Sequence, residues 1–183
     1  MSIYYYRTQQ FLPIDIEKAW DFFSSAKNLA LITPPELDFK ILTKLDDKEI
    51  YAGMIIDYTV KPVLGIPLRW KTEICEVNRP AFFTDKQLKG PYAIWEHTHR
   101  YIQKENGILM EDEVKYKLPF GFLGNIAHSL FVKKKIEEIF SFRKTVLEKM
   151  FGAETLKNIW NRVYLFGLLL KTLWNVHYKS ATF

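Results

Sequence analysis

The chain carries a single cysteine, Cys75, in 183 residues. That excludes an intramolecular disulfide framework and fits a reducing compartment. Long apolar runs are missing too. The longest charge-free apolar stretch, Val163 to Leu170, falls well short of the ~20 residues that span a bilayer. Met1 to Arg7 shows no basic-then-apolar targeting segment and runs straight into a strand-like pattern. No concentrated basic face is present either. Of the formal charge of +5, the residues after Phe151 hold +3, which leaves only +2 for the first 151 residues. Nucleic-acid binding is therefore not expected. The sequence has no nucleophile elbow, no Gly-rich phosphate loop, no extended metal motif, no internal repeat and no low-complexity segment. A cytoplasmic globular domain is the class that remains.

What the sequence does have is rings. Fourteen Phe, ten Tyr and five Trp make 16% of the chain aromatic, more ring surface than a minimal core of this size needs. A large apolar interior follows, either solidly packed or hollow. Hydrophobic residues at 48% and charged residues at 26% exclude disorder and fibrous classes.

Hydrophobic periodicity sets the element order. Ile3 to Leu12 reads as a strand stopped by Pro13. Asp15 is placed to cap a short helix carrying Ile16, Ala19, Trp20 and Phe23, and a second short helix covers Lys27 to Ile32. Period two then predicts strands near 36–43, 49–61, 67–78, 81–89, 93–103 and 107–118. Asp46-Asp47, Pro62 with Gly65, Asn78 with Pro80, Gly90-Pro91 and Asn106-Gly107 punctuate them. Asn106-Gly107 is the clearest hairpin turn. After Gly121 to Gly124 an amphipathic helix runs to about Phe151, with Ile136, Ile139, Phe140, Val146, Leu147 and Met150 as its apolar stripe. Gly152 is a plausible left-handed stop. The expected class is α+β: an antiparallel meander covered by one long helix, with a further amphipathic helix over 152–183.

Alternation also sorts the strands into faces. Leu68, Trp70, Thr72 and Ile74 point inward, as do Trp95, His97, His99 and Tyr101, and Ile108, Met110, Asp112, Val114, Tyr116 and Leu118. The 49–61 strand is apolar on both faces, and its inward set stays open. Asp112 is the anomaly, a carboxylate on an apolar face that needs a partner. His97 and His99 on the adjacent strand are the candidates.

Several spaced segments then carry a resemblance: Ile66 to Ile74 (IPLRWKTEI), Pro80 to Gln87 (PAFFTDKQ), Gly90 to Trp95 (GPYAIW), His97-x-His99, Asp112-x-Val-x-Tyr116 and Leu118 to Gly121 (LPFG). Together they resemble the bacterial ligand-binding, polyketide cyclase-like branch of the SRPBCC superfamily, over roughly residues 2 to 151. The resemblance implies a START-like helix-grip domain over 1–151. In it a seven-stranded antiparallel sheet wraps a long C-terminal helix, two short helices follow the first strand, and a cavity lies between sheet and helix. It also favours Asp85 and Gln87 as inward polar lining, although alternation alone leaves open whether they or Lys86 face inward.

Trp70, Trp95 and Tyr116 are either core or the walls of that cavity. For His97, His99 and Asp112 four readings stand: an internal hydrogen-bond network, polar contacts to a bound small molecule, a metal site, or His–Asp acid–base chemistry. Against metal, the motif is short and no fourth ligand suggests itself. No cofactor is expected. The expected function is non-catalytic binding or carriage of a hydrophobic ligand, such as a lipid, polyketide-like or isoprenoid compound. Trp70, Asp85, Gln87, Trp95, His97, His99, Asp112 and Tyr116 would contact it. The alternative is a cyclase- or hydrolase-like enzyme using His97, His99 and Asp112. Lys133-Lys134-Lys135 reads as a solvated helix turn, and His128 and His177 are isolated. The 152–183 helix is too apolar to stand alone. It would pack on its own domain, make a homo-oligomer, or touch a membrane interface peripherally.

Overall fold

The computed structural model describes residues 2–44, 49–61, 65–120 and 131–152. The turns read at Asp46-Asp47 and Pro62, the break at Gly121 to Gly124, His128 and the 153–183 part of the C-terminal extension, with His177, lie outside these residues.

The chain starts in β1 (Tyr4–Leu12), whose alternation puts Gln10 and Leu12 inward and Tyr5, Arg7 and Phe11 outward. Pro13 ends the strand. Asp15 caps α1 (Ile16–Phe23), its side chain accepting the Lys18 N–H at 2.8 Å. This fixes the helix so that Ala19 and Trp20 are fully buried. Next come α2 (Ala26–Leu29), a 3-10 turn at Pro35–Leu37, and the strands β2 (Lys40–Ile41), β3 (Ile55–Val60), β4 (Leu68–Asn78), β5 (Phe82–Lys89), β6 (Ile94–Lys104) and β7 (Gly107–Lys117). The long helix α3 (Lys133–Leu147) continues into a π turn at Glu148–Gly152.

The seven strands form one antiparallel sheet in the order β1-β7-β6-β5-β4-β3-β2. Consecutive strands pair, except that β1 closes onto β7, which aligns Thr8 with Asp112. Helix α3 lies against the inner face, held in part by Gln10 Nε2 donating to the Lys144 carbonyl at 2.9 Å. The sheet, α1 and α3 bury Leu12, Trp20, Ile74, Phe83, Tyr101, Met110, Leu147 and Phe151 in one cluster. Ion pairs and polar pairs such as Lys86–Glu73 (3.0 Å) and Gln9–Glu111 (2.6 Å) occupy the wet face.

Several local features differ from the sequence expectation. The strand read at 36–43 is a 3-10 turn at Pro35–Leu37 followed by the two-residue β2, and the strand read at 49–61 begins only at Ile55. The β6–β7 turn is Glu105–Asn106, and Gly107 is already the first residue of β7. A Cβ on Gly107 would stand 2.3 Å from the Leu12 carbonyl, at a φ of 157°. The glycine therefore serves strand approach rather than a turn. Gly107→Ala is expected to cost about 1–3 kcal/mol, read as a lower urea midpoint at unchanged slope. Gly152 does not adopt positive φ, and the helix ends in the π turn instead. Finally, the buried stripe of α3 is Ile136, Phe140, Arg143, Leu147 and Phe151, while Met150 is 37% exposed. Spacings of four and three put Arg143 on the apolar line, which reading for apolar residues alone does not register.

Among the described residues, no helix is long and apolar enough to cross a membrane.

Candidate functional site

Strand register assembles the polar group. His99 pairs with Asp112 across β6 and β7, and His97 pairs with Asp85 across β5 and β6. All four lie on the inner face, where directly opposed side chains stand about 5 Å apart and diagonal ones remain within reach. The imidazoles use both relations. His97 Nε2 is 2.7 Å from Asp112 Oδ1, and His99 Nδ1 is 3.0 Å from the same oxygen. On their other edges, His99 Nε2 lies 3.4 Å and His97 Nδ1 3.9 Å from Asp85 Oδ2. The two rings sit 3.7 Å apart, centroid to centroid. From α3, Arg143 Nη1 reaches to 3.7 Å from Asp112 Oδ1.

Burial sets the electrostatics. Asp112 is 2% exposed. Burial alone pushes its carboxyl up, yet the hydrogen bonds from His97 and His99 outweigh this and hold it well below the ordinary range. His97 is lowered, first by burial and then by the neighbouring His99, against the pull of Asp112. Burial lowers His99 as well, but its contacts to both Asp112 and Asp85 raise it overall. Among the described residues, Asp112 Oδ2, Arg143 Nε and the Tyr101 hydroxyl are buried without a hydrogen-bond partner.

A cavity of about 80 Å³ adjoins this group. Its walls are largely apolar, with Phe23, Ile56, Ile74 and Met110 among them, and its polar lining includes Asp85, His99 and Arg143. Tyr58 and Thr72 also line it, joined by a 3.2 Å contact between their hydroxyls. Phe83 stacks on His99 at 4.3 Å and so holds that ring at the cavity wall.

The residues singled out in the sequence divide into two sets. Asp85 and His99 line the cavity, and His97 and Asp112 stand directly behind them. Trp70, Trp95 and Tyr116 pack in a neighbouring ring cluster around Tyr92, with Trp70 edge-on to Trp95 at 5.3 Å. Tyr58, stacked on Trp70 at 5.9 Å, bridges that cluster to the cavity. Gln87 holds the β5–β6 loop, donating to the Tyr92 carbonyl at 2.6 Å and accepting its N–H at 3.3 Å. Arg143 is the site residue that the sequence reading misses, and its place on the α3 stripe is the available signal.

No protein-family model matches the chain, and no curated protein matches it. Solved structures do. The chain is similar to TTHA0849 from Thermus thermophilus, with TM-score 0.60 and 17% identity over 82% of this chain and 99% of that one. The major latex-like protein 151 of Panax ginseng aligns with TM-score 0.59 and 13% identity, over 81% and 97%. Ara h 8.0201 aligns with TM-score 0.53 and 13% identity, over 81% and 99%. At these identities the likeness shows the fold, which is the α+β helix-grip architecture.

Proposed function

We propose that this protein binds a small molecule of mainly apolar surface whose polar end meets Asp85, His99 and Arg143. The observation that carries the reading is Arg143. A guanidinium offers five donors, and among the described residues this one is buried at the cavity wall with Nε unpartnered and a single ion-pair contact as long as 3.7 Å. A ligand oxygen in the cavity would satisfy donors that the described residues leave unused. The apolar lining would supply most of the affinity, at about 25 cal/mol per Å² of ligand surface removed from water. The volume bounds the ligand. A cavity of about 150 Å³ accommodates benzene, so a space of about 80 Å³, about half of that, suits a short branched chain or the edge of a ring at its inner end. A longer lipid or polyketide-like tail would leave it between α1, α2 and β3. Within this reading His97 and Asp112 orient His99, while Trp70, Trp95, Tyr116 and Gln87 back the wall. The SRPBCC branch suggested by the sequence motifs belongs to the same reading.

The test is native mass spectrometry of gently purified protein, followed by displacement titration with an apolar fluorophore. A co-purified small molecule and a 1:1 fluorophore complex are expected. Ala26→Phe, which places a ring at the α2 side of the cavity, is expected to weaken fluorophore binding at least tenfold with the fold intact. Equal affinity in wild type and variant would overturn the reading.

One observation favours a second reading, acid–base catalysis. His99 faces the cavity with Asp112 behind it, the relation in which a carboxylate orients an imidazole and raises its basicity. Were a reaction found, His99→Ala would reduce turnover by about 10²–10⁴-fold, whereas a binder would lose only affinity.

A further inference from the structure

Each imidazole in the buried group has one nitrogen on Asp112 and one facing Asp85. In the tautomers that donate to Asp112, from His97 Nε2 (2.7 Å) and His99 Nδ1 (3.0 Å), the neutral side chains carry their ring protons on those atoms. The remaining nitrogens, His97 Nδ1 and His99 Nε2, then present lone pairs at 3.9 and 3.4 Å from a carboxylate oxygen, Asp85 Oδ2. Three electron-pair donors lie within 4.8 Å of one another. A proton on His99 satisfies only one edge of the triangle, at 3.4 Å. It leaves His97 Nδ1 at 3.9 Å from the carboxylate, beyond hydrogen-bond range. A small cation satisfies all three at once.

We propose that Asp85, His97 and His99 bind a divalent first-row transition metal through Asp85 Oδ2, His97 Nδ1 and His99 Nε2, with an open coordination position facing the cavity. The three ligand atoms lie within 4.8 Å of one another. Metal–ligand bonds of about 2.0–2.2 Å place tetrahedral neighbours about 3.4 Å apart. The His99–Asp85 edge is already at 3.4 Å, the His97–Asp85 edge of 3.9 Å has to close by about 0.5 Å, and the His97–His99 edge, no longer than 4.8 Å, has to close by at most about 1.4 Å.

The surroundings fit a metal in two further ways. Asp112 accepts the far nitrogen of both imidazoles, which is how outer carboxylates set the tautomer and ring orientation of metal-bound histidines. It is buried and not itself needed as a ligand. Asp85 and His99 line the cavity, so the side of the site away from Asp112 is open to water or to a ligand's polar group. Two imidazoles and one carboxylate select Zn²⁺ or Fe²⁺ over Mg²⁺ and Ca²⁺, which prefer all-oxygen sets. The residue types are visible in the sequence, but the carboxylate that completes the set is Asp85. Asp112, the one the apolar pattern draws attention to, stands behind it.

This inference stands apart from the small-molecule reading, because metal uptake is measured with no organic ligand present. Tag-free full-length protein, freed of metal by EDTA dialysis, is titrated with Co²⁺ while the visible d–d absorption is followed, and with Zn²⁺ by calorimetry. A 1:1 complex with micromolar or tighter Kd and a Co²⁺ spectrum of low coordination number are expected. Asp85→Asn is expected to weaken Zn²⁺ more than tenfold. Asp112→Asn is expected to weaken it about 10–100-fold. Lys86→Ala, on the outer face of the same strand, is expected to leave it unchanged. Asp85 is partly exposed, so its variant should fold, and far-UV circular dichroism checks this. The wild-type titrations decide by themselves if it does not. No Co²⁺ absorption and no Zn²⁺ heat at 100-fold metal excess would overturn the proposal, as would an Asp85→Asn protein that binds as tightly as wild type. In that case the group is a hydrogen-bond network closed by a proton on His99.

Discussion

Asp112→Ala is expected to destabilise the protein by about 3–5 kcal/mol, a large share of the 5–15 kcal/mol that holds an ordinary domain folded. The argument is electrostatic. Asp112 Oδ1 sits within 4 Å of His97, His99 and Arg143, and at 2% exposure water cannot take its place. Removing the carboxylate leaves the Arg143 charge buried with no counter-charge in contact among the described residues, and two imidazoles each losing a hydrogen-bond acceptor. An isolated buried charge is costlier than a missing pair.

The same argument predicts non-additivity. Arg143→Met takes away a charge as well as its long contact, so it is expected to cost much less than Asp112→Ala. In the double variant the orphaned cation is gone, and the loss is expected to be smaller than the sum of the singles by about 0.5–3 kcal/mol. Urea unfolding at neutral pH with EDTA present measures all three without any contribution from metal. A loss under about 1 kcal/mol for Asp112→Ala would mean that water reaches the site and that the burial argument fails.

Much of this was legible in the sequence because one physical rule, period-two alternation, governs the sheet. It sorted Trp95, His97, His99 and Tyr101 from Glu96, Thr98 and Arg100, and the burial of β6 follows that division from His97 to Tyr101. The same rule put Asp112 inside beside both histidines. What alternation cannot supply is distance along the sheet. Trp70, Trp95 and Tyr116 share the inner face with His99, so a face-level reading places them all on one wall. The register instead gathers Trp95 and Tyr116 as a cross-strand pair toward one end of β6 and β7, with His99 and Asp112 farther along. Arg143 escaped for a different reason. A stripe read as apolar residues skips a charged one, although long basic side chains bury their stems readily. Asp85 was legible only by resemblance, since β5 carries Phe82 and Phe83 on opposite faces and gives no unambiguous inside.

The ring cluster and the cavity should therefore respond differently to substitution, and Trp70 separates them. Trp70→Ala is expected to cost about 3–5 kcal/mol, the usual loss for a large buried ring. Trp70 is 7% exposed and contacts Tyr58, Tyr92 and Trp95 at centroid distances from 5.3 to 5.9 Å. Trp70→Phe keeps most of that packing and removes an indole N–H that is buried without a partner among the described residues. Losing an unsatisfied donor offsets part of the lost ring area, so this variant is expected to stay within about 1.5 kcal/mol of wild type. Because neither change touches the cavity surface directly, fluorophore affinity in Trp70→Phe is expected to remain within about twofold, whereas Ala26→Phe weakens it. Urea midpoints and displacement titrations on the three proteins read both quantities. A tenfold affinity loss in Trp70→Phe at unchanged stability would place the ligand against the tryptophan. The space that matters for binding would then run through Tyr58 into the ring cluster instead of ending at it.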